Sequence, residues 1–333
     1  MFVKLATFNA ALEAGRFCRK SDPDPLALRR ALAGSNHPLL SNAAAQLTLL
    51  DADIVLLNEF DYIADASAGI EAFNHQYLPK PYPYCYVAPV NTGVKVGNSG
   101  ENHGFGRFPG QYGMALLSRF PLDTTAIRTF RRFRWAALPN PNRPRLHGRF
   151  YYPDGLWQQL RLSSKSHWDI PVLIGQQRLH ILASHPTPPV FDGPERRNQC
   201  RNADEIRFWC HYLDDEPWIA DDQRRTGGLP AGAAFVLLGD LNADPQRGDS
   251  APGAITTLLN HPRLQSLPIP QHSGGDITAD WQKRVDYVLP STMLKLVDNG
   301  VFWPQGDEPG SNWVSAPESS DHRPVWVTVQ LPC

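Results

Sequence analysis

Short apolar runs along the chain end, again and again, on a polar residue. Val3 to Asn9 (VKLATFN) reads as a buried strand near the amino terminus. Asn42 to Leu50 reads as a short helix with Asn42 as its cap. The continuous run Ile54 to Leu57 predicts a strand buried on both faces, and it delivers Asn58 and Glu59 where it leaves the core. Tyr112 to Ser118 (YGMALLS), Leu156 to Ser163, Pro171 to Ile174 and Leu179 to Ser184 predict further strands, the last ending in His185. Ala203 to Leu213 has helical spacing, and Phe235 to Leu238 is a strand that ends in Gly239-Asp240-Leu241-Asn242. Two late strands, Val285 to Leu289 and Val325 to Val329, are flanked by Asp286 and by Asp321-His322. Strands separated by long loops or single helices predict two stacked sheets with outer helices.

Between these runs, Pro79 to Gly110 is rich in proline, glycine and tyrosine, and its part from Gly93 to Gly110 is expected to be a long, mobile surface loop. It lacks the lysine-bearing pattern of a nucleotide cradle. Asp221 to Gly232 reads as a polar loop. Seven arginines (128, 131, 132, 134, 143, 145, 149) cluster between Arg128 and Arg149 around Phe130, Phe133 and Trp135. Such a cluster can grip a nucleic-acid backbone, with Phe133 or Trp135 stacking on a base, or can be solvated and salt-bridged.

Composition narrows the setting. With 42% hydrophobic and 20% charged residues and a formal net charge of -1, the chain has no general affinity for polyanions, so nucleic-acid contact requires a local patch. No run is long enough for membrane insertion. The 333 residues are read as one catalytic domain, expected to act as a monomer. Five scattered cysteines (18, 85, 200, 210, 333) form neither a metal knuckle nor a disulfide framework, although Cys200 and Cys210 could pair in an oxidising compartment. The start, Met1 to Ala10, lacks the features of a secretory signal, which leaves a cytoplasmic protein or a secreted one with its signal removed.

The polar strand ends suggest one cleft. Phosphoryl transfer needs a hard cation on carboxylate oxygens, a base facing water, and positive or neutral donors for the phosphate oxygens. Glu59 and Asp321 offer metal-type oxygens. Asp240 could hold the water, and Asn9 and Asn242 could donate to phosphate. His185 and His322, if protonated, would face the developing charge, and Asp286 would orient His322. Taken singly, each has an ordinary explanation as turn chemistry, strand-end capping or a packed histidine.

The segments TFN (7 to 9), LLNEF (56 to 60), YGMALLSR (112 to 119), ASHPTPP (183 to 189), LLGDLNADP (237 to 245), RVDYVLP (284 to 290) and SSDHRPV (319 to 325) occur in one order across the chain. In that order they resemble the endonuclease/exonuclease/phosphatase superfamily, which includes deoxyribonuclease I-like and exonuclease III-like enzymes. The resemblance implies a four-layered α-β-β-α sandwich of two stacked mixed sheets flanked by helices. It also implies Asn9, Glu59 and Asp321 near a Mg2+ or Mn2+ ion, with Ca2+ as an alternative. Asp240 and Asn242 would surround water and phosphate, Asp286 would pair with His322, His185 would be a second histidine, and Tyr112 would face the phosphate. The segments SSKSHW (163 to 168) and FDGPERRN (191 to 198) look like a bacterial branch, in which Lys165 and His167 would line the substrate phosphate pocket. The implied activity is that of a phosphodiesterase or nuclease; the alternatives are a phosphomonoesterase on a sugar, inositol or lipid phosphate, and a non-catalytic binding module.

Overall fold

The computed structural model describes residues 1–19, 22–266 and 268–332, so Cys333 lies outside the described residues. Thirteen strands are present among them. The first half of the chain supplies β1 (Phe2–Leu12), β2 (Ile54–Phe60), β3 (Tyr84–Val87), β4 (Met114–Ser118), β5 (Arg128–Thr129), β6 (Arg145–Leu146) and β7 (Arg149–Phe150). The second half supplies β8 (His167–Ile174), β9 (Gln177–Ser184), β10 (Phe235–Asp240), β11 (Asp286–Pro290), β12 (Lys295–Val301) and β13 (Val325–Gln330). One sheet has the order β12-β13-β1-β2-β4-β3, a second β11-β10-β9-β8-β5, and β6 pairs only with β7.

Alternation of side chains explains the layering. In β2, Ile54 and Leu56 enter the core between the sheets, where they join Trp168, Ile170 and Val236. Val55 and Leu57 point the other way, onto α1 (Ala27–Leu32), α2 (Pro38–Leu50) and α3 (Ile70–Tyr77). In β10, Val236 and Leu238 face the intersheet core. Phe235 and Leu237 face an aromatic cluster that includes Phe208 and Trp209 of α5 (Arg197–Leu213). A strand buried on both faces must be apolar at every position, which is why these runs were readable as continuous. The fold is a four-layered sandwich of two mixed sheets flanked by helices, as expected.

Strand direction gathers the polar ends. β1 runs parallel to β2, and β9 parallel to β10, so their carboxyl ends share one edge of the sandwich. β4, β8, β11 and β13 run antiparallel to these neighbours, so their amino ends lie at the same edge. Gly239 sits at that edge with φ +150°, and a Cβ there would lie 2.0 Å from the carbonyl oxygen of Ser184, so β9 and β10 can approach only around a glycine.

Several expectations are corrected. Asn42 is not a cap: α2 begins at Pro38, whose fixed φ suits a first helical turn, and Asn42 lies buried inside the helix, its amide donating to the carbonyl of Trp313. Leu156 to Ser163 is not a strand. Its first residues close α4 (Asp154–Trp157), and the rest is irregular chain that buries Leu160 and Leu162 in the aromatic cluster. The glycine-rich segment is not a loose loop, because Val96 packs in that cluster and Gly104 abuts the backbone of Ser164. Phe133 and Trp135 are core residues and cannot stack on a base. Cys200 and Cys210 are free thiols on α5, ten residues and thus about 15 Å apart along the helix axis.

Gly239→Ala is expected to cost at least about 2 kcal/mol of folding stability, because backbone rather than a flexible side chain must give way. Urea denaturation read by circular dichroism checks this; an unchanged midpoint would mean that the two strands can part without loss.

Candidate active site

The site is built around one buried carboxylate. Asp240, at the end of β10, accepts a hydrogen bond on Oδ2 from Asn9 Nδ2 at 3.0 Å, and on Oδ1 from the backbone N–H of Asn242 at 2.9 Å. Its own N–H donates to Asn58 Oδ1 at 3.1 Å, and Thr7 Oγ1 donates to the same oxygen. Asn9, Thr7 and Asn58 belong to the first sheet and Asp240 to the second, so these bonds tie the two sheets together at the edge where the chemistry sits.

Two imidazoles face the same carboxylate. His185 Nε2 lies 3.4 Å and His322 Nε2 3.8 Å from Asp240 Oδ2. Behind His322, its Nδ1 lies 2.9 Å from Asp286 Oδ2, which also accepts from Thr278 Oγ1 at 2.8 Å. Burial alone would lower the pKa of His322, but Asp286 and Asp240 outweigh it and raise it, so this ring carries a proton. His185 is the opposite case: burial, then Lys165 and His322, hold its pKa well below the ordinary value. Burial thus favours the neutral form of His185, and of the two histidines only His322 is favoured in the charged form. Burial raises the pKa of Asp240, and the positive charge of His322 opposes that rise.

Glu59 is partly buried at the end of β2, and its carboxylate receives no hydrogen bond among the described residues. Burial raises its pKa, while His322 and Lys165 lower it and Glu13 and Asp321 raise it further. Asp321 is exposed, and its side chain is likewise without a hydrogen bond or ion pair among the described residues. Acidic oxygens without donors, beside other acids, are a donor set suited to a hard divalent cation. A second grouping, Asp240, Asp286 and His322, has ligand atoms within 4.8 Å of one another and could also hold a metal ion. Both Asp240 oxygens, Asp286 Oδ2 and His322 Nδ1 already have partners, whereas Asp286 Oδ1 is buried without one.

Lys165 precedes β8 and is buried, with no hydrogen bond or ion pair from its ammonium among the described residues. Burial lowers its pKa, and Glu205, Glu59 and Asp240 act against that. Asn242 anchors to the carbonyl of Pro186 through Nδ2 at 3.2 Å. Glu59, Tyr112 and Asn242 all hold positive φ, at 57°, 56° and 52°. Left-handed backbone at non-glycine residues costs about 1–3 kcal/mol each and collects where geometry is functional.

Tyr112 is half-buried just before β4, its N–H donating to Asp61 Oδ1 at 2.8 Å, and Glu13 and Glu59 are among the charges that act on its hydroxyl. His167 stands behind the site rather than in it. Its Nδ1 is 2.6 Å from Ser163 Oγ and its Nε2 2.8 Å from the carbonyl of Glu205, so neither nitrogen is left for phosphate.

Sequence reasoning passed over several contributors. Asn58 was visible beside Glu59 but had no assigned task. Glu205, on α5, accepts from the N–H groups of Ser164 at 2.5 Å and Thr187 at 2.6 Å, clamping the segments that carry Lys165 and His185. Nothing in a helical stretch marks such a residue. Trp281 meets the His322 ring edge-on at 5.5 Å.

The fold recurs in solved structures. An endonuclease/exonuclease/phosphatase from Beutenbergia cavernae is 18% identical, with a TM-score of 0.56 over 99% of this chain and 72% of that one. A Leptotrichia buccalis family protein is 14% identical, TM-score 0.54, over 99% and 100%. Sphingomyelinase C from Streptomyces griseocarneus is 14% identical, TM-score 0.52, over 98% and 99%. None is near enough in sequence to assign a branch, and no curated protein sequence matches. The profile of the Endonuclease/Exonuclease/phosphatase family matches residues 6–322, and the protein therefore belongs to that family.

Proposed function

We propose that this protein is a divalent-metal-dependent phosphodiesterase or nuclease, acting as one catalytic domain over residues 1–333. Family membership and a cluster of acids and histidine able to hold a cation support metal-dependent hydrolysis of phosphate esters in general. The observation that carries the finer reading is the pairing of a buried acceptor, Asp240, with a protonated His322 and an unpartnered buried Lys165. His322 and Lys165 place positive charge where a phosphate would sit, and the acids beside them, Glu59 and Asp321, leave room for a cation.

Each group then has a task. Glu59 and Asp321, with Asn9 beside them, would hold Mg2+ or Mn2+, and Ca2+ would fit the same oxygens. The cation would neutralise charge on the phosphate oxygens. Asp240, fixed by Asn9 and the N–H of Asn242, accepts the proton of the attacking water, and its burial makes it a stronger base than an exposed carboxylate. His322, oriented by Asp286, donates to a phosphate oxygen as charge builds. Lys165 places a second positive charge on the phosphate, and neutral His185 and Asn242 add hydrogen bonds without altering net charge. Tyr112 stands at the rim of the same cleft.

A panel of bis-p-nitrophenyl phosphate, p-nitrophenyl phosphate and plasmid DNA tests the reading. Diester cleavage is expected to exceed monoester cleavage, to vanish with a chelator and to return with Mg2+ or Mn2+. Preference for the monoester would favour action on a sugar, inositol or lipid phosphate, and full activity in chelator would remove the metal from the account. Asp240→Asn is expected to lower kcat by about 100-fold or more with the circular dichroism spectrum preserved; wild-type turnover in this variant would end the assignment of the base.

Lys165→Met removes a buried charge without a protein partner, so stability should hold or rise while kcat/KM for the diester falls by about tenfold or more. Thermal denaturation beside kinetics separates the two. A variant that unfolds easily would show that the lysine is structural.

A further inference from the structure

The amino and carboxyl strand ends of the second sheet follow one another across the cleft as Asp286, Asp240, His185, Lys165 and then, beyond β5, Arg131. The register is direct, since Phe130 donates its N–H to the carbonyl of His167 at 3.0 Å. From β10 to β5 is three strand spacings, about 14 Å. The catalytic groups occupy one end of this line, and arginines the other.

Asn91, fully buried, fastens that far end to the site. Its N–H donates to the carbonyl of Lys165 at 3.0 Å, its Nδ2 donates to the carbonyl of Arg131 at 2.6 Å, and its Oδ1 accepts from Arg161 Nη1 at 2.7 Å. Arg161 also pairs backbone to backbone with Arg134. The carboxylate facing this group, Asp222, has its oxygens taken by Thr129 Oγ1 at 2.7 Å and by the N–H groups of Arg131 at 3.2 Å and Arg132 at 2.7 Å.

The half-buried guanidinium of Arg131 has no hydrogen bond, ion pair or ring contact among the described residues. Burial lowers the pKa of both cations, Asp222 acts against this, and neighbouring arginines add to it: Arg161 is pushed down to about 10, and Arg131 is also lowered. Two other arginines of the cluster are neutralised by carboxylates. Arg128 pairs with Asp221, and Arg143 with Asp154. Crowding like charges into partial burial is unfavourable unless an anion comes to them.

We propose that Arg131 and Arg161, rimmed by Arg132 and Arg134, form a second anion subsite for a phosphate group remote from the one being hydrolysed. The substrate is then extended and carries more than one phosphate. This rests on the phosphodiesterase reading above for the scissile end, and on the arginines alone for the remote end.

The test uses Arg131→Gln, with Arg131→Lys as the charge-preserving control. The ratio of kcat/KM for octathymidylate to that for bis-p-nitrophenyl phosphate should fall by about tenfold or more in Arg131→Gln and recover in Arg131→Lys. Inositol hexakisphosphate, added as an inhibitor of bis-p-nitrophenyl phosphate hydrolysis, supplies the compact alternative. Loss of its inhibition in Arg131→Gln without a change in the octathymidylate ratio would assign the remote phosphate to compact polyphosphates, and the reverse would assign it to a strand. Unchanged behaviour toward both would overturn the subsite while leaving the hydrolytic reading intact. If the wild-type protein cleaves no diester, the hydrolytic reading fails, and fluorescence anisotropy of labelled octathymidylate in chelator still decides. Equal affinity of wild type and Arg131→Gln would then overturn the subsite.

Discussion

The constraint on which the rest depends is the burial of Asp240 between two sheets that each supply half of its partners. A carboxylate removed from water must be matched by donors or cations, and the matching here is specific. Asn9 and His322 reach the carboxylate from the first sheet's side and the N–H of Asn242 and His185 from the second's, while the Asp240 N–H donates back across to Asn58 Oδ1. The sandwich cannot slide at this edge without stranding that charge. Folding the two sheets into register and assembling the site are therefore one event.

Asymmetry between the two imidazoles follows from the same burial. Both rings approach one oxygen of Asp240, yet only His322 has a second carboxylate behind it. Against its burial, Asp286 thus raises the pKa of His322, while burial, Lys165 and His322 lower that of His185. A second protonated ring would stand against Lys165 and His322; a site with neither ring charged would offer the phosphate less positive charge. Neutral His185 also leaves its Nδ1 without a partner in a buried position, a feature that a bound ligand or water would satisfy.

Much of this was legible in the chain. Runs such as Ile54 to Leu57 and Phe235 to Leu238 announce strands covered on both faces, and the polar residue at the end of each run marks the edge of the sandwich. Family-like order then joined residues that spacing alone could not, such as Asn9 with Asp240. What could not be read was what depends on the third dimension. The sequence around Leu156 has apolar residues enough for a strand, but the turn begun after Pro153 directs them into an aromatic cluster. Phe133 and Trp135 look like ligand-facing aromatics beside arginines, and only packing shows them facing inward. His167, expected at the phosphate from the likeness of its segment to a bacterial branch, has both ring nitrogens engaged by Ser163 and the carbonyl of Glu205, partners that no local pattern reveals. Glu205 and Asn91, which hold the walls of the cleft, carry no local mark because their partners are backbone groups distant in sequence.

The account stands on the claim that the strand-end groups enclose a cation beside Glu59. Anomalous diffraction from crystals soaked in Mn2+ measures this directly. The account predicts a peak at about 2.0–2.5 Å from the Glu59 carboxylate, lost in crystals of Glu59→Gln. A manganese peak only elsewhere on the molecule, or one unaffected by that substitution, would contradict it.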